Sequence, residues 1–392
     1  MLPLLFSLSS TLKETASSIT QYLHEPTNAL ELTIALELVV RGFATWQHYL
    51  DAMEAMRALF WLSTNSDPQS QQALPHGVGP GQDYGPHPHP PPHGHSNGHD
   101  TPPQHGSRHK DKEKASAPTV PFSLGPIPAD VRALARRATL LIASENTPLF
   151  MTTLSHDILH ARSAAHCSAT MRLVTFLVRH EPMLLLGNLP RLAEAVVKSL
   201  DPNGPNAMRA AVLQAATVMI SDLVHTFPSL DFHGRAQRLA VGTHEGACIL
   251  YDVKTATRLF VLEGHAGVPQ AGHAAHVHAQ AQAHPCDACS FSPDGRRLLT
   301  VSCSEGRALV WKVGPSLLTS VLMPGSMPRQ GGNDRSGAYR AFDFVMSERA
   351  RAQVERDPLG SIRFEWEGEG DGNGSGNVVL QLGEVKLAFN AA

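Results

Sequence analysis

The sequence predicts a multidomain α and β chain, in which a helical, repeat-like region precedes an incomplete propeller-like set of short antiparallel strands. Three observations lead there. Apolar residues recur at helical spacing on both sides of a stretch rich in Pro, Gly and His. At Phe227 the apolar period drops from about 3.6 to 2. Beyond that point short alternating runs are separated by Gly-containing turns.

Residues 1–65 read as amphipathic helices. Leu30, Ile34 and Leu38 share one face after Pro26, and Trp46, Tyr49, Leu50, Met53, Met56 and Phe60 share another. The apolar start, Met1 to Ser10, lacks the basic flank of a secretory signal, and Lys13 and Glu14 soon follow. No apolar run has the length of a bilayer span. The expectation is a cytoplasmic protein that reaches membranes only peripherally, through partners. Residues 66–126, rich in Pro, Gly, His, Gln and Ser, hold too little apolar surface to offset the entropy of ordering and read as a disordered linker.

Residues 127–226 read as a helical repeat-like domain. Asp130 is an N-cap ahead of the stripe Val131, Leu134, Ala135, Ala138, Leu141 and Ile142. Thr147-Pro148 starts a second helix. Cys167, Met171, Val174 and Val178 mark a third, which stops before Pro182. Leu192, Ala193, Val196, Val197 and Leu200 mark a fourth, halted by the turn Asp201-Pro202-Asn203-Gly204-Pro205. Asn206 caps a fifth, with Ala211, Val212, Ala215, Val218 and Met219. Helices of ordinary length on short loops suggest an α-solenoid of armadillo/HEAT type or an irregular bundle.

Residues 227–324 supply two blades. Ser229–His233, Arg238–Thr243, Ala247–Asp252 and Thr257–Glu263 form the first; Asp287–Ser292, Arg297–Ser302, Ala308–Lys312 and Leu317–Leu322 form the second. Residues 266–284, rich in Ala, His and Gln, are a loop inserted between them. Residues 325–360 are a linker, in which Arg349, Arg351 and Arg356 alternate with Glu348, Glu355 and Asp357 as on an exposed helix or loop. Residues 361–392 form a partial third blade: Ile362, Phe364 and Trp366 alternate with charges, and Val378–Leu382 and Val385–Phe389 meet through Gly383. A blade short of its outer strand leaves an edge to be completed by another segment or chain.

Gly264-His265, Phe291-Ser292-Pro293-Asp294-Gly295 and Trp311, with Tyr251-Asp252 where Trp-Asp is usual, resemble the WD-repeat family. His265, Asp294, Trp311, Tyr251 and Asp252 are the structural motif residues this resemblance marks. Arg41-Gly42-Phe43-Ala44-Thr45-Trp46, Arg238-Leu239-Ala240-Val241-Gly242, Leu250-Tyr251-Asp252, Ser316-Leu317-Leu318 and Arg363-Phe364-Glu365-Trp366 are similar to the C-terminal region of the rabconnectin-3 β-subunit family. The resemblance implies a C-terminal part or truncated relative of a longer chain. It also implies a partnership with a large WD-repeat α-subunit and with V1 subunits in assembly of the vacuolar proton ATPase, on endosomal, vacuolar or vesicle membranes. In regular blades of that family a His, a Ser or Thr, an Asp and a Trp share a buried hydrogen-bond network. Here Val301 is read at the hydroxyl position and Glu305 at the aspartate, with Val241 and Glu245 in the first blade, so packing is expected to carry both blades.

Cys286-x-x-Cys289, preceded by His273, His276, His278 and His284, has the ligand types of a zinc site. It lacks a second such pair, and Cys289 enters a core strand, so no metal site is assigned. Five cysteines without a regular framework fit a reducing compartment. The motifs of serine hydrolases, phosphate-binding loops and zinc proteases are absent from the sequence. No catalytic residue or cofactor is assigned. Net charge of −3 gives no general attraction to nucleic acid, and Arg132, Arg136 and Arg137 read as a solvated helix face. A non-catalytic scaffold is the leading expectation, with a vesicle-coat or trafficking adaptor and, more remotely, a zinc-binding protein as alternatives.

Overall fold

The structure, a computed structural model, describes residues 2–25, 28–64, 127–161, 163–203, 206–265, 283–314, 339–367 and 377–390. The expected linker 66–126, most of the insertion 266–284 and the expected strand Leu317–Leu322 lie outside the described residues.

Among the described residues, helices come first: α1 Leu2–His24, α2 Ala29–Trp46, α3 Ala52–Thr64, α4 Ala129–Glu145, α5 Thr147–Leu159, α6 Ala164–His180, α7 Met183–Leu186, α8 Leu189–Ser199 and α9 Asn206–Thr226. Strands follow: β1 Leu230–His233, β2 Arg238–Gly242, β3 Ala247–Asp252, β4 Thr257–Glu263, β5 Ala288–Phe291, β6 Arg297–Ser302, β7 Arg307–Lys312 and β8 Tyr339–Asp343. Helix α10, Glu348–Arg356, precedes β9 Ile362–Glu367, β10 Asn377–Leu382 and β11 Val385–Asn390. The strands form three small antiparallel sheets, of order β1-β2-β3-β4, β5-β6-β7-β8 and β9-β10-β11.

Several local expectations need correction. The stripe from Trp46 to Phe60 belongs to two helices, because α2 ends at Trp46 and α3 starts at Ala52. Helix α2 buries Leu32, Leu36, Val39 and Phe43, while Leu30 and Ile34 face outward. Its sequence is apolar on more than one side, and spacing alone does not select the packed face. Gly42 breaks the helical backbone, and a Cβ there would lie 2.7 Å from Trp46 Nε1. The bare glycine lets the indole fold back and donate to the Leu38 carbonyl at 3.0 Å. Asp130 lies inside the first turn of α4, where the N-cap is Pro128. Asn146, rather than Thr147, caps α5 by accepting from the Leu149 amide. The stretch expected as a linker, 325–360, contains β8 and α10; Ser347 caps α10 by accepting from the Ala350 amide at 3.2 Å.

The helical stretches 1–65 and 127–226, separate in the sequence, share one core. Phe60 of α3 meets Phe150 of α5 edge-on, with ring centroids 5.5 Å apart. The same apolar cluster takes in Leu239, Val241, Tyr251 and Val253 from one face of the first sheet. The other face, with Ala240, Cys248 and Leu250, packs on Cys289, Phe291, Leu298, Leu309 and Trp311 of the second sheet. The far face of the second sheet, with Ala288, Leu299, Val301 and Val310, packs on Ile362, Val378, Leu380 and Phe389 of the third. The result is a layered order: helices, first sheet, second sheet, third sheet.

Burial follows this order. Leu298 to Ser302 of β6 are buried without interruption, as expected of a strand covered on both faces. In β9 burial alternates instead: Ile362, Phe364 and Trp366 point inward, and Arg363, Glu365 and Glu367 are exposed. The third sheet thus turns a polar face outward. Among the described residues, no helix is long and apolar enough to cross a membrane.

Candidate functional site

The second sheet holds a buried polar network that faces the first. Trp311 sits near the end of β7 and pairs across the ladder with Leu298. Two residues further along β6, on the same face as the indole, is Thr300. Trp311 Nε1 donates to Thr300 Oγ1 at 2.9 Å. His265 lies just beyond β4 and is 2% exposed. Its Nε2 is 3.1 Å from the same hydroxyl oxygen, and its Nδ1 is 2.7 Å from Glu305 Oε2.

The chemistry of these groups fixes the direction of each bond. An indole only donates and a carboxylate only accepts. Thr300 therefore accepts from Trp311 and donates its own proton to His265 Nε2, while His265 Nδ1–H donates to Glu305. Burial lowers the His265 pKa, against the pull of Glu305, and the ring is neutral at physiological pH. Glu305 Oε1 accepts from Arg307 at 2.7 Å, and Arg307 Nε reaches Asp343 of β8 at 2.7 Å. The network thus runs from the intersheet core to the outer strand. Gly264 makes room for it: a Cβ there would lie 2.6 Å from Trp311 Cζ2.

This corrects the expectation of a missing hydroxyl. Thr300, rather than Val301, shares the face of Trp311, and Val301 packs toward the third sheet. The reason is a one-residue difference between hairpins. Ser302 pairs with Arg307 in the second sheet, whereas Gly242 pairs with Cys248 in the first. The residue four before the glutamate therefore lies on the face of the ring only in the first sheet, where Val241, four before Glu245, shares the face of Tyr251, while Val301, four before Glu305, does not share that of Trp311.

Of the five motif residues, the structure brings His265 and Trp311 together. Asp294 holds the turn between β5 and β6, accepting from Ser292 Oγ at 2.6 Å and from the Arg296 amide at 3.0 Å. Asp252 does the same after β3, accepting from the amides of Lys254 and Thr255. Tyr251 turns toward the helices. Its hydroxyl is buried with no hydrogen-bond partner among the described residues, and burial pushes its pKa up to about 12.

Cys286 and Cys289 are buried, with Cys248 of β3 beside them. Cys289 Sγ donates to the Ser229 carbonyl at 3.2 Å. A hydrogen bond to Cys248, followed by burial, keeps the Cys286 thiol well above its ordinary range. Thiols held protonated in this way are poor metal ligands and poor nucleophiles. No group of three His, Cys, Asp or Glu side chains among the described residues is arranged to hold a metal ion. His273, His276 and His278 lie outside the described residues; His284 Nδ1 contacts Ser304 Oγ at 3.1 Å.

A second polar cluster ties the helices together. Asp157 of α5, its side chain 1% exposed, accepts from Arg57 Nε of α3 at 2.8 Å and lies 3.4 Å from His166 Nε2 of α6. Burial alone would raise the Asp157 pKa, but hydrogen bonds from His166 and Arg57 outweigh it and hold the carboxylate below its usual range. No family model matches the chain.

Proposed function

We propose that this protein is a non-catalytic WD-repeat scaffold that regulates assembly of the vacuolar proton ATPase, and with it acidification of vesicles and endosomes. The observation that carries the WD-repeat reading is the His265, Thr300, Trp311 and Glu305 network, in which Glu305 stands where aspartate is usual. On this reading the first and second sheets are two blades, the third sheet is a partial blade, and the helices form an armadillo/HEAT-like platform. The stacking of β4 to β1 and β8 to β5 as consecutive four-stranded meanders supports it. The link to the proton pump rests on the resemblance of Arg41 to Trp46 and of the strand segments to the rabconnectin-3 β-subunit family.

The partners are a large WD-repeat α-subunit and V1 subunits of the pump, with membranes reached through them and nucleic acid excluded. Thr300, His265 and Glu305 do stand in the order of hydroxyl, base and carboxylate, but Thr300 and His265 are buried and the Thr300 oxygen is held by the Trp311 indole, so we read the series as structural rather than catalytic. Affinity purification of the full chain tests the reading. Recovery of V1 subunits together with a large WD-repeat protein supports it; recovery of vesicle-coat proteins in their place replaces it with the trafficking-adaptor reading. Stoichiometric zinc after chelator washing would instead favour a metal-binding role for Cys286 and Cys289.

A further inference from the structure

Three of the five cysteines meet at the seam between the first and second sheets. Cys248 of β3 pairs across the ladder with Gly242, which has no side chain to set beside it. Cys286, two residues before β5, fills that place from the second sheet. A Cβ on Gly242 would lie 3.0 Å from Cys286 Sγ and 3.3 Å from Cys286 Cβ. Side chains opposite one another on neighbouring strands have Cβ atoms about 5 Å apart, so Cys286 and Cys248 sit as a cross-strand pair would. The Cys286 amide donates to the Thr243 carbonyl at 3.0 Å and fixes the approach. The Cys248 thiol is hydrogen-bonded to those of Cys286 and Cys289, but Cys289 is also committed to the Ser229 carbonyl. Cys303 packs toward the third sheet and Cys167 among the helices. A cavity of about 70 Å³ adjoins Cys286, Ser229, Gly242, Thr243 and Asp287 and is lined as well by the exposed His244. It has room for roughly two water molecules.

We propose that Cys286 and Cys248 are a site of oxidative modification, closed to a disulfide by hydrogen peroxide that enters through this cavity. Cys286 Sγ, the thiol on the cavity, attacks one peroxide oxygen; the O–O bond breaks, water leaves and Cys286 becomes a sulfenic acid. Cys248 Sγ then attacks the Cys286 sulfur. The S–S bond forms, the S–O bond breaks and a second water leaves. The two thiols give up two electrons and two protons, and the peroxide takes up both. Both thiols are held protonated by their surroundings, so the reaction is slow, and position rather than thiolate character selects the pair. The new bond ties β3 of the first sheet to the entry of β5 in the second. It does not depend on the scaffold reading.

Hydrogen peroxide added to the full chain, reduced and folded, tests the site. After quenching and alkylation in denaturant, the intact mass should show the loss of two hydrogens and of two alkylated thiols. Peptide mapping should join Cys248 to Cys286, and dithiothreitol should restore both thiols. Cys248→Ala should abolish the crosslink and leave Cys286 as the cysteine captured by dimedone, a trap for sulfenic acid. A crosslink in the unaltered folded chain between any other pair, or oxidation of Cys286 with no crosslink, would overturn the proposal. So would a peroxide-treated chain in which all five cysteines are still alkylated.

Discussion

In the first sheet the ring near the end of β3, Tyr251, presses against the helical core; in the second the ring at the same place in β7, Trp311, presses against the first sheet. The two meanders are alike in strand order and antiparallel pairing. They differ in what lies beneath the ring. Under Trp311 there is a hydroxyl, a neutral imidazole and a carboxylate, each satisfied. Under Tyr251 there is Val241, and the phenol oxygen has no hydrogen-bond partner among the described residues. A sheet that rests on helices can rely on apolar burial. A sheet held between two others uses directional bonds to fix its register. A network whose members are all paired specifies one arrangement, because any slip leaves several buried groups unpaired.

The sharpest way to break this contrast is to remove the imidazole. His265→Ala should destabilise the chain by about 4 kcal/mol, through a cavity and the unpaired Thr300 and Glu305. Chemical denaturation followed by far-UV circular dichroism measures it. Thr300→Val keeps the shape but leaves Trp311 Nε1–H and His265 Nε2 without partners, and should cost about 2–3 kcal/mol. Val301→Thr, at the position read from the sequence, should not recover that loss, because residue 301 faces the third sheet.

Acid should act on the second sheet through His265. Its folded pKa lies below the ordinary 6.5, so the unfolded chain takes up the proton at higher pH than the folded one. The contribution is therefore complete above about pH 6.5 and declines as pH falls from there through the folded value. Unfolding midpoints measured from pH 7.5 to 5.5 should fall more steeply for the unaltered chain than for His265→Gln, whose amide can bridge Glu305 and Thr300 without titrating. The smallest effect belongs to the first sheet. Tyr251→Phe should change stability by less than about 0.5 kcal/mol, since the hydroxyl it removes is already unpaired.

The same contrast explains what the sequence disclosed. Short apolar runs set between Gly-containing turns located ten of the eleven described strands to within a residue or two: β9 alternates, while β6 and β7, covered on both faces, read as near-continuous apolar runs. Strand β8 escaped because its two packed residues, Tyr339 and Phe342, are three apart and point to opposite faces of the sheet. That spacing imitates a helix. Thr300 escaped for a different reason: its place depends on the length of the hairpin after β6, a property of pairing register rather than of motif spacing. His265 and Trp311 were legible as motif residues, and their partner was not. In α2, Leu30 and Ile34 were as apolar and as well spaced as the residues that pack, so only the tertiary fold separates them.

A double-mutant cycle between Thr300→Val and Trp311→Phe probes most directly whether the second sheet is held by a connected polar network. Unfolding free energies of the two single variants and the double variant should reveal a coupling of about 1 kcal/mol or more, because removing either partner already forfeits the shared bond. Strictly additive losses would show that Trp311 acts by packing alone, and would place the second sheet with the first.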